Sequence, residues 1–222
     1  MSLTRSWQFI GGLNSPWYRM YDGLRRRLNK RLVDFLAARI TSPMVKQSDQ
    51  GRVPPRVLEA GSGTAFALSL FRRRPHVGLC VALDIDETAL REARKQDLSL
   101  SAVVADLRRM PFARESFSLV FNSSTIEHLD DPAAAVEEMQ RTCRMDGCVF
   151  VGVPYRYGPL AFQPLIDGTT VGRWLGPVFS RKSLTALLRG CGLTPVTWMR
   201  YFLNFFVGAV AIKTEACGQE TP

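Results

Sequence analysis

The sequence predicts an α/β domain, a mostly parallel sheet with helices on both faces, joined to an N-terminal basic amphipathic helix. Three observations carry this. Beyond Arg56, short apolar runs alternate with helix-period segments, the pattern of repeated strand and helix units. Near the C-terminal end two apolar runs are separated by only a couple of residues, too few for a crossover, so they should pair antiparallel. Finally, Trp17, Tyr21, Leu24, Leu28, Leu32, Phe35, Leu36 and Ile40 recur every three or four positions, as one face of a helix does.

Taken in order, the first helix spans 16–40 and carries Arg19, Arg25, Arg26, Arg27, Lys30 and Arg31 on most of its remaining positions. Residues 41–55 are polar and rich in Pro, Ser, Gln and Gly, which reads as a linker. Residues 1–52 are therefore expected to form a helical cap and linker, and 53–222 the main domain. Strands are expected at 56–60, 79–84, 102–105, 118–122, 148–153, 194–202 and 205–214. Helices are expected at 64–73, 87–96, 132–143 and 181–191. No internal repeat or low-complexity tract interrupts the series.

A chain of 222 residues with 46% hydrophobic content can build one domain with a sizeable core, which disfavours disordered and fibrous classes. The longest apolar stretch, 201–212, includes Asn204 and falls well short of the ~20 residues a membrane-spanning helix needs. No signal-peptide pattern is evident, so a cytoplasmic location is expected, with peripheral membrane contact left open by the basic helix. Five scattered cysteines and two histidines offer neither a CxxC pair nor a metal-ligand pattern, so buried, reduced thiols are expected and no metal site. Of the net charge of +9, residues 1–56 hold a surplus of +8, so the basic character belongs to the N-terminal quarter.

The segment Val57-Leu58-Glu59-Ala60-Gly61-Ser62-Gly63-Thr64-Ala65 reads as a buried strand running into a tight turn and then a helix. Gly61 and Gly63 tolerate positive φ and let a ligand approach the backbone. Such turns serve many nucleotide-like ligands, and some only let a helix pack closely on a strand. Charge separates the two leading ligand classes. A dinucleotide brings a pyrophosphate to the helix N-terminus and usually wants GxGxxG, whereas Phe66 stands at the last glycine position and Glu59 opposes the anion. S-adenosylmethionine carries a sulfonium and an ammonium, which a carboxylate at the strand end attracts. Asp84, in Leu83-Asp84-Ile85-Asp86, ends the second strand, where a carboxylate can accept both ribose hydroxyls. Asp106 ends the third and can accept from an adenine amino group, with Leu107 against the ring. The plainer alternative is that each Asp caps the helix after it.

The assembled motifs resemble those of class I S-adenosylmethionine-dependent methyltransferases, especially the small-molecule branch that includes the quinone-biosynthesis methyltransferases. The resemblance covers about residues 53–214. Besides the turn, it rests on Leu83-Asp84, Ala105-Asp106 with Met110-Pro111-Phe112, and Ser116-Phe117-Ser118-Leu119-Val120-Phe121. It continues in Ile126-Glu127-His128-Leu129-Asp130-Asp131-Pro132 and Met145-Asp146-Gly147-Cys148-Val149-Phe150. It implies a seven-stranded sheet with the last strand antiparallel, S-adenosylmethionine as cofactor and S-adenosylhomocysteine as product. By position it implies Glu59, Gly61, Ser62 and Gly63 at the methionine end, Asp84 and Ile85 at the ribose, and Asp106 and Leu107 at the adenine. Asn122 would lie beneath the cofactor near the acceptor. Ala65 departs from the pattern, since many members have a third glycine there. Its methyl group is expected to narrow the turn and weaken binding without abolishing it.

Displacement at a sulfonium starts from an activated leaving group, so alignment and exclusion of water are the main tasks and no metal is required. His128 is the candidate general base, its pKa lying near working pH; the alternative is a structural histidine bonded to nearby backbone. Residues 155–179, with Tyr155, Tyr157, Phe162, Trp174 and Phe179, would form either a lid over a small, hydrophobic or aromatic acceptor or ordinary packing. The Arg-rich helix, with Trp7, Phe9, Trp17 and Tyr18 nearby, would contact an anionic membrane or anionic substrate, or simply cap the site with its arginines solvated. The charge also raises an RNA methyltransferase as rival. Enzymes that methylate exocyclic base amines usually carry Asn/Asp-Pro-Pro-aromatic where this chain reads Asn122-Ser123-Ser124-Thr125, so nucleic acid is not the expected partner. A catalytically inactive cofactor-binding partner protein is the non-enzymatic alternative, and the nearly complete motif set speaks against it.

Overall fold

The computed structural model describes residues 16–40, 54–159 and 176–214, with the side chains of 16–26 left aside. Its seven strands are β1 (Val57–Ala60), β2 (Cys80–Asp84), β3 (Ser101–Val104), β4 (Phe117–Ser123), β5 (Cys143–Pro154), β6 (Leu193–Tyr201) and β7 (Phe206–Lys213). They form one sheet in the order β3-β2-β1-β4-β5-β7-β6. Neighbours from β3 through β5 pair parallel, and β7 runs antiparallel between β5 and β6. The expected seven-stranded sheet with an antiparallel last strand is therefore observed.

Alternation along each strand divides the core into two layers. Leu58, Ala60, Val81, Leu83, Val120, Val149 and Val151 face one side, where Ala135, Val136 and Met139 of α4 (Pro132–Thr142) and Leu184 and Leu188 of α5 (Arg181–Gly190) cover them. Val57, Cys80, Ala82, Leu119, Phe121 and Phe150 face the other. There they meet α1 (Pro16–Ile40), α2 (Phe66–Arg72) and α3 (Glu87–Gln96). Three helices start on side-chain caps. Asp86 accepts from the Thr88 and Ala89 amides at α3, Asp131 accepts from Ala134 before α4, and Ser180 and Ser183 form a reciprocal box at α5.

Helix α1 belongs to the second layer. Leu32, Val33, Leu36 and Ile40 are buried there with Phe71, and Asp34 bonds both Lys30 and Arg74, with Lys30 first in holding its carboxyl below the usual range. Four buried aliphatic side chains at ~1.5–3 kcal/mol each outweigh surface ion pairs worth under ~1 kcal/mol, so burial holds the helix in place. Arg27, Lys30 and Arg31 are exposed on its other side. Trp7, Phe9, most of the expected linker, and Phe162 and Trp174 lie outside the described residues. No helix among the described residues is long and apolar enough to cross a membrane.

Most boundaries fall within one or two residues of the expectation, and two differences are more informative. β5 begins at Cys143, which pairs with Phe117 ahead of a register shift, so Met145-Asp146-Gly147 lie inside the strand and not before it. The terminal hairpin turns through four residues, with Phe202, Leu203 and Asn204 all at positive φ.

Candidate active site

The strand order reverses between β1 and β4, so the carboxyl ends of these two strands open the crevice where ligands bind in sheets of this kind. The turn after β1 is tightly built. The amides of Gly61 and Ser62 both donate to the Leu83 carbonyl, at 2.8 and 3.0 Å. Gly61 sits at φ 74°, and a Cβ there would lie 2.6 Å from Oγ1 and Cγ2 of Thr125, so both backbone conformation and space require glycine. From the β4 side, Thr125 Oγ1 donates to the Gly61 carbonyl at 3.1 Å, and the Asn122 amide donates to the Ala60 carbonyl. The two strand ends are thereby tied across the crevice.

Each expected carboxylate first organises backbone. Glu59, buried, accepts from the Leu68 amide of α2 at 3.0 Å. Asp84 accepts from Gly63 at 2.7 Å through one oxygen and from Asp86 at 2.9 Å through the other. Asp106 accepts from the Arg108 amide and pairs with its guanidinium at 2.7 Å, contacts that hold its carboxyl below the usual range. A carboxylate has about four acceptor positions, so Asp84, with two in use, keeps capacity for a ligand, whereas Arg108 occupies those of Asp106 and would have to turn aside for one. Ile85, beside Asp84, is 57% exposed and presents an apolar surface at the β2 end, while Leu107 is packed in the first core layer. Helix α2 begins from Ala65 in the left-handed region, at φ 50°, with no side-chain cap.

After β4 the chain makes a short 3₁₀ turn, Ile126–His128. His128 is exposed, but its ring lies close to Gly176, where an added Cβ would be 3.1 Å from Nδ1, and partial desolvation lowers its pKa below the ordinary value. Glu127 was not among the expected site residues. It is 4% exposed, Ser124 donates to its Oε1 at 2.7 Å, and burial pushes its pKa up to about 7. Behind it, the Tyr201 hydroxyl bonds Ser123 at 2.9 Å. The signal available in sequence was the spacing Ser124-x-x-Glu127, which lets a hydroxyl and a carboxyl meet across a tight turn.

Four buried side-chain polar atoms lack a partner among the described residues: Arg39 Nε, Ser62 Oγ, Asn122 Oδ1 and Glu127 Oε2. Three of the four stand at the β1–β4 crevice, whereas buried polar groups in folded proteins are normally paired. Ser62 Oγ and Asn122 Oδ1, beside the glycine turn, suit a ligand with a polar amino-acid end. The carboxylates of Glu59, Asp84 and Asp106 on successive strand ends suit its cation, ribose and base. The residues present therefore fit S-adenosylmethionine.

A glycine turn at the switch point, followed by acids at three successive strand ends of a seven-stranded sheet, defines a class I, Rossmann-like methyltransferase domain of the S-adenosylmethionine-dependent kind. Residues 58–151 match the family described as "Methyltransferase domain", and this part of the chain is such a domain. Among curated proteins, the chain is 31% identical over 134 residues to the malonyl-[acyl-carrier protein] O-methyltransferase of Laribacter hongkongensis, covering 53% of this chain and 44% of that one. It is 31% identical over 156 residues to a "probable S-adenosylmethionine-dependent methyltransferase" of Mycobacterium tuberculosis, covering 68% and 55%. The chain thus spans about half the length of these relatives. Among solved structures, the geranyl diphosphate C-methyltransferase of Streptomyces coelicolor, bound to S-adenosylhomocysteine, superposes with a TM-score of 0.66 at 13% identity, covering 92% of this chain and 88% of that one. The methylation domain of the citrinin polyketide synthase also gives 0.66, at 19% identity, covering 84% and 52%. At these identities the structural likenesses show the fold.

Proposed function

We propose that the protein transfers a methyl group from S-adenosylmethionine to a small, hydrophobic or aromatic acceptor. The carrying observation is the set of unpartnered buried atoms, Ser62 Oγ, Asn122 Oδ1 and Glu127 Oε2, gathered where β1 and β4 end. Glu59 and the Gly61 turn would hold the methionine end, Asp84 and Ile85 the ribose, and Asp106 the adenine amino group. Bound there, S-adenosylmethionine supplies a methyl group on a sulfonium. The chain's own residues position the acceptor and keep water away. The relatives' names extend from an acyl-carrier substrate to a diphosphate, so they support the donor more than any one acceptor. Tyr155, half-buried, and Tyr157, exposed, meet edge to face at 5.8 Å beyond the end of β5 and offer aromatic surface on the acceptor side. Calorimetric titration with S-adenosylmethionine tests the donor, with micromolar binding expected. Mass spectrometry of native protein tests the acceptor, a co-purified lipid-like ligand being expected. Absence of donor binding would overturn the reading, and co-purified RNA would replace the acceptor class.

The Arg-rich face of α1 is proposed as a peripheral contact for an anionic surface. Binding to phosphatidylserine vesicles should fall several-fold when Arg25, Arg26 and Arg27 are replaced by Gln. Equal binding by both proteins removes the proposal.

A further inference from the structure

Glu127 is a buried carboxyl at the crevice that donor binding, as outlined above, does not employ. Ser124 holds one of its oxygens at 2.7 Å, while the other is buried without a hydrogen-bond partner among the described residues. It stands two residues after Thr125, whose side chain packs on Gly61 at the methionine end of the donor turn. A Cβ on Gly176 would lie 3.3 Å from Glu127 Cγ, so the chain that returns toward α5 passes directly over it. The Ser123–Tyr201 hydroxyl pair lies at the same end of β4.

A glutamate retained only for the fold would have both oxygens satisfied, because an unmade buried hydrogen bond is costly. Here one oxygen is fixed and the other is held available, an arrangement suited to a ligand. We propose that Glu127 is the catalytic base on the acceptor side, its Oε2 receiving the proton of a hydroxyl group on the methyl acceptor. The inference rests on the methyltransferase reading above. In the step, the acceptor's O–H bond breaks and the proton passes to Oε2. An oxygen lone pair forms the new O–C bond to the methyl group, and the electrons of the S–C bond stay on sulfur, which ends as a neutral thioether. The proton on Glu127 then leaves to water.

The same geometry selects among acceptors. A hydroxyl gives its proton to the carboxylate, whereas an acceptor that already carries a carboxylate meets like charge in a site of low dielectric. Ionisation of Glu127 near neutral pH suits a base at working pH. His128, one position on, is exposed and borders Gly176, which gives it a place at the rim.

The test uses full-length protein carrying carboxyl-13C glutamate, saturated with unreactive S-adenosylhomocysteine and titrated with catechol, dodecanol or dodecanoic acid. A hydroxyl probe is expected to move the Glu127 carboxyl resonance, and dodecanoic acid to leave it in place. Glu127→Gln should lower affinity for that hydroxyl probe at least tenfold while keeping S-adenosylhomocysteine affinity within about twofold. It should also reduce methylation of the probe ~100-fold or more and remove the rise in rate through pH 7, with Glu127→Asp restoring part of each. An unmoved resonance with both hydroxyl probes overturns the proposal, as does unchanged turnover and pH profile in Glu127→Gln. Wild-type protein that fails to bind S-adenosylhomocysteine instead overturns the methyltransferase reading itself, so the two failures are distinguishable.

Discussion

The two sides of the crevice treat their acids differently. On the proposed donor side, Glu59, Asp84 and Asp106 each accept a backbone amide, so the charge proposed to meet a ligand also fixes the loops around it. On the acceptor side, Glu127 is bonded by the Ser124 hydroxyl, and burial pushes its pKa up to about 7. Carboxylates bonded to backbone are suited to binding, whereas a desolvated one can exchange a proton. The contrast separates binding from chemistry within a few residues of the same two strands.

The sharpest way to break the comparison is at Asp84. Its carboxylate anchors Gly63 and Asp86 and is proposed to meet the ribose. Asp84→Ala should weaken S-adenosylmethionine binding ~100-fold or more by calorimetry, because hydrogen bonds to a charged group are worth ~1.5–3 kcal/mol each. Asp84→Asn retains one acceptor oxygen and should fall between. An Ala variant that binds within threefold of wild type would show that the donor-side acids serve only the loops.

The acceptor side predicts a pH dependence with a definite sign. Glu127 has a folded pKa of about 7 against an ordinary 4.5, so its contribution to stability is complete below about pH 4.5 and is lost as pH rises through 7. At ~1.4 kcal/mol per unit the total is ~3 kcal/mol. Denaturant melts of wild type and Glu127→Gln between pH 4.5 and 8 isolate the term. The stability difference between the two proteins should change by about that amount across the window, and a constant difference would mean that Glu127 stays ionised throughout.

Gly61 tests how firmly the two sides are joined. Gly61→Ala meets Thr125 and imposes a side chain at φ 74°, so a loss of ~2–3 kcal/mol is expected in chemical denaturation. Adding Thr125→Ala should recover the steric part and leave the conformational part. A double variant no better than the single one would place the whole cost in the backbone.

Much of this architecture was legible because β1, β2 and β5 are apolar runs punctuated by Gly or Asp, and β4 is an apolar run between polar residues, which local pattern reveals. The start of β5 was not, since Met145-Asp146-Gly147 looks like a turn and becomes strand only through pairing across the sheet, beginning with Cys143 opposite Phe117. At the site, Glu59, Asp84 and Asp106 stand out in the sequence because each lies at the end of an apolar run. Glu127 was not chosen because glutamate is exposed by default, and its burial depends on Tyr201 and Gly176, far away in sequence. His128 draws attention in the sequence through its intrinsic pKa, and the fold leaves it exposed beside Gly176. Two residues of one tripeptide thus have different surroundings that only the tertiary fold assigns.

The smallest expected effect concerns Ala65, where the sequence departs from the glycine pattern. The methyl group was expected to narrow the turn, and the chain adopts φ 50° there with the side chain buried. A left-handed conformation costs a non-glycine residue ~1–2 kcal/mol. Burial of one methyl recovers ~0.8 kcal/mol of that. Ala65→Gly should therefore stabilise the fold by less than ~1 kcal/mol, visible as a small rise in denaturation midpoint, and should tighten donor binding by at most about threefold. Glu59 already bonds the Leu68 amide three residues further on, so the start of α2 is secured without an N-cap side chain and the relief stays local. A larger gain in donor affinity would mean that Ala65 limits access to the turn itself, and the donor side would then be less preorganised than its hydrogen bonds imply.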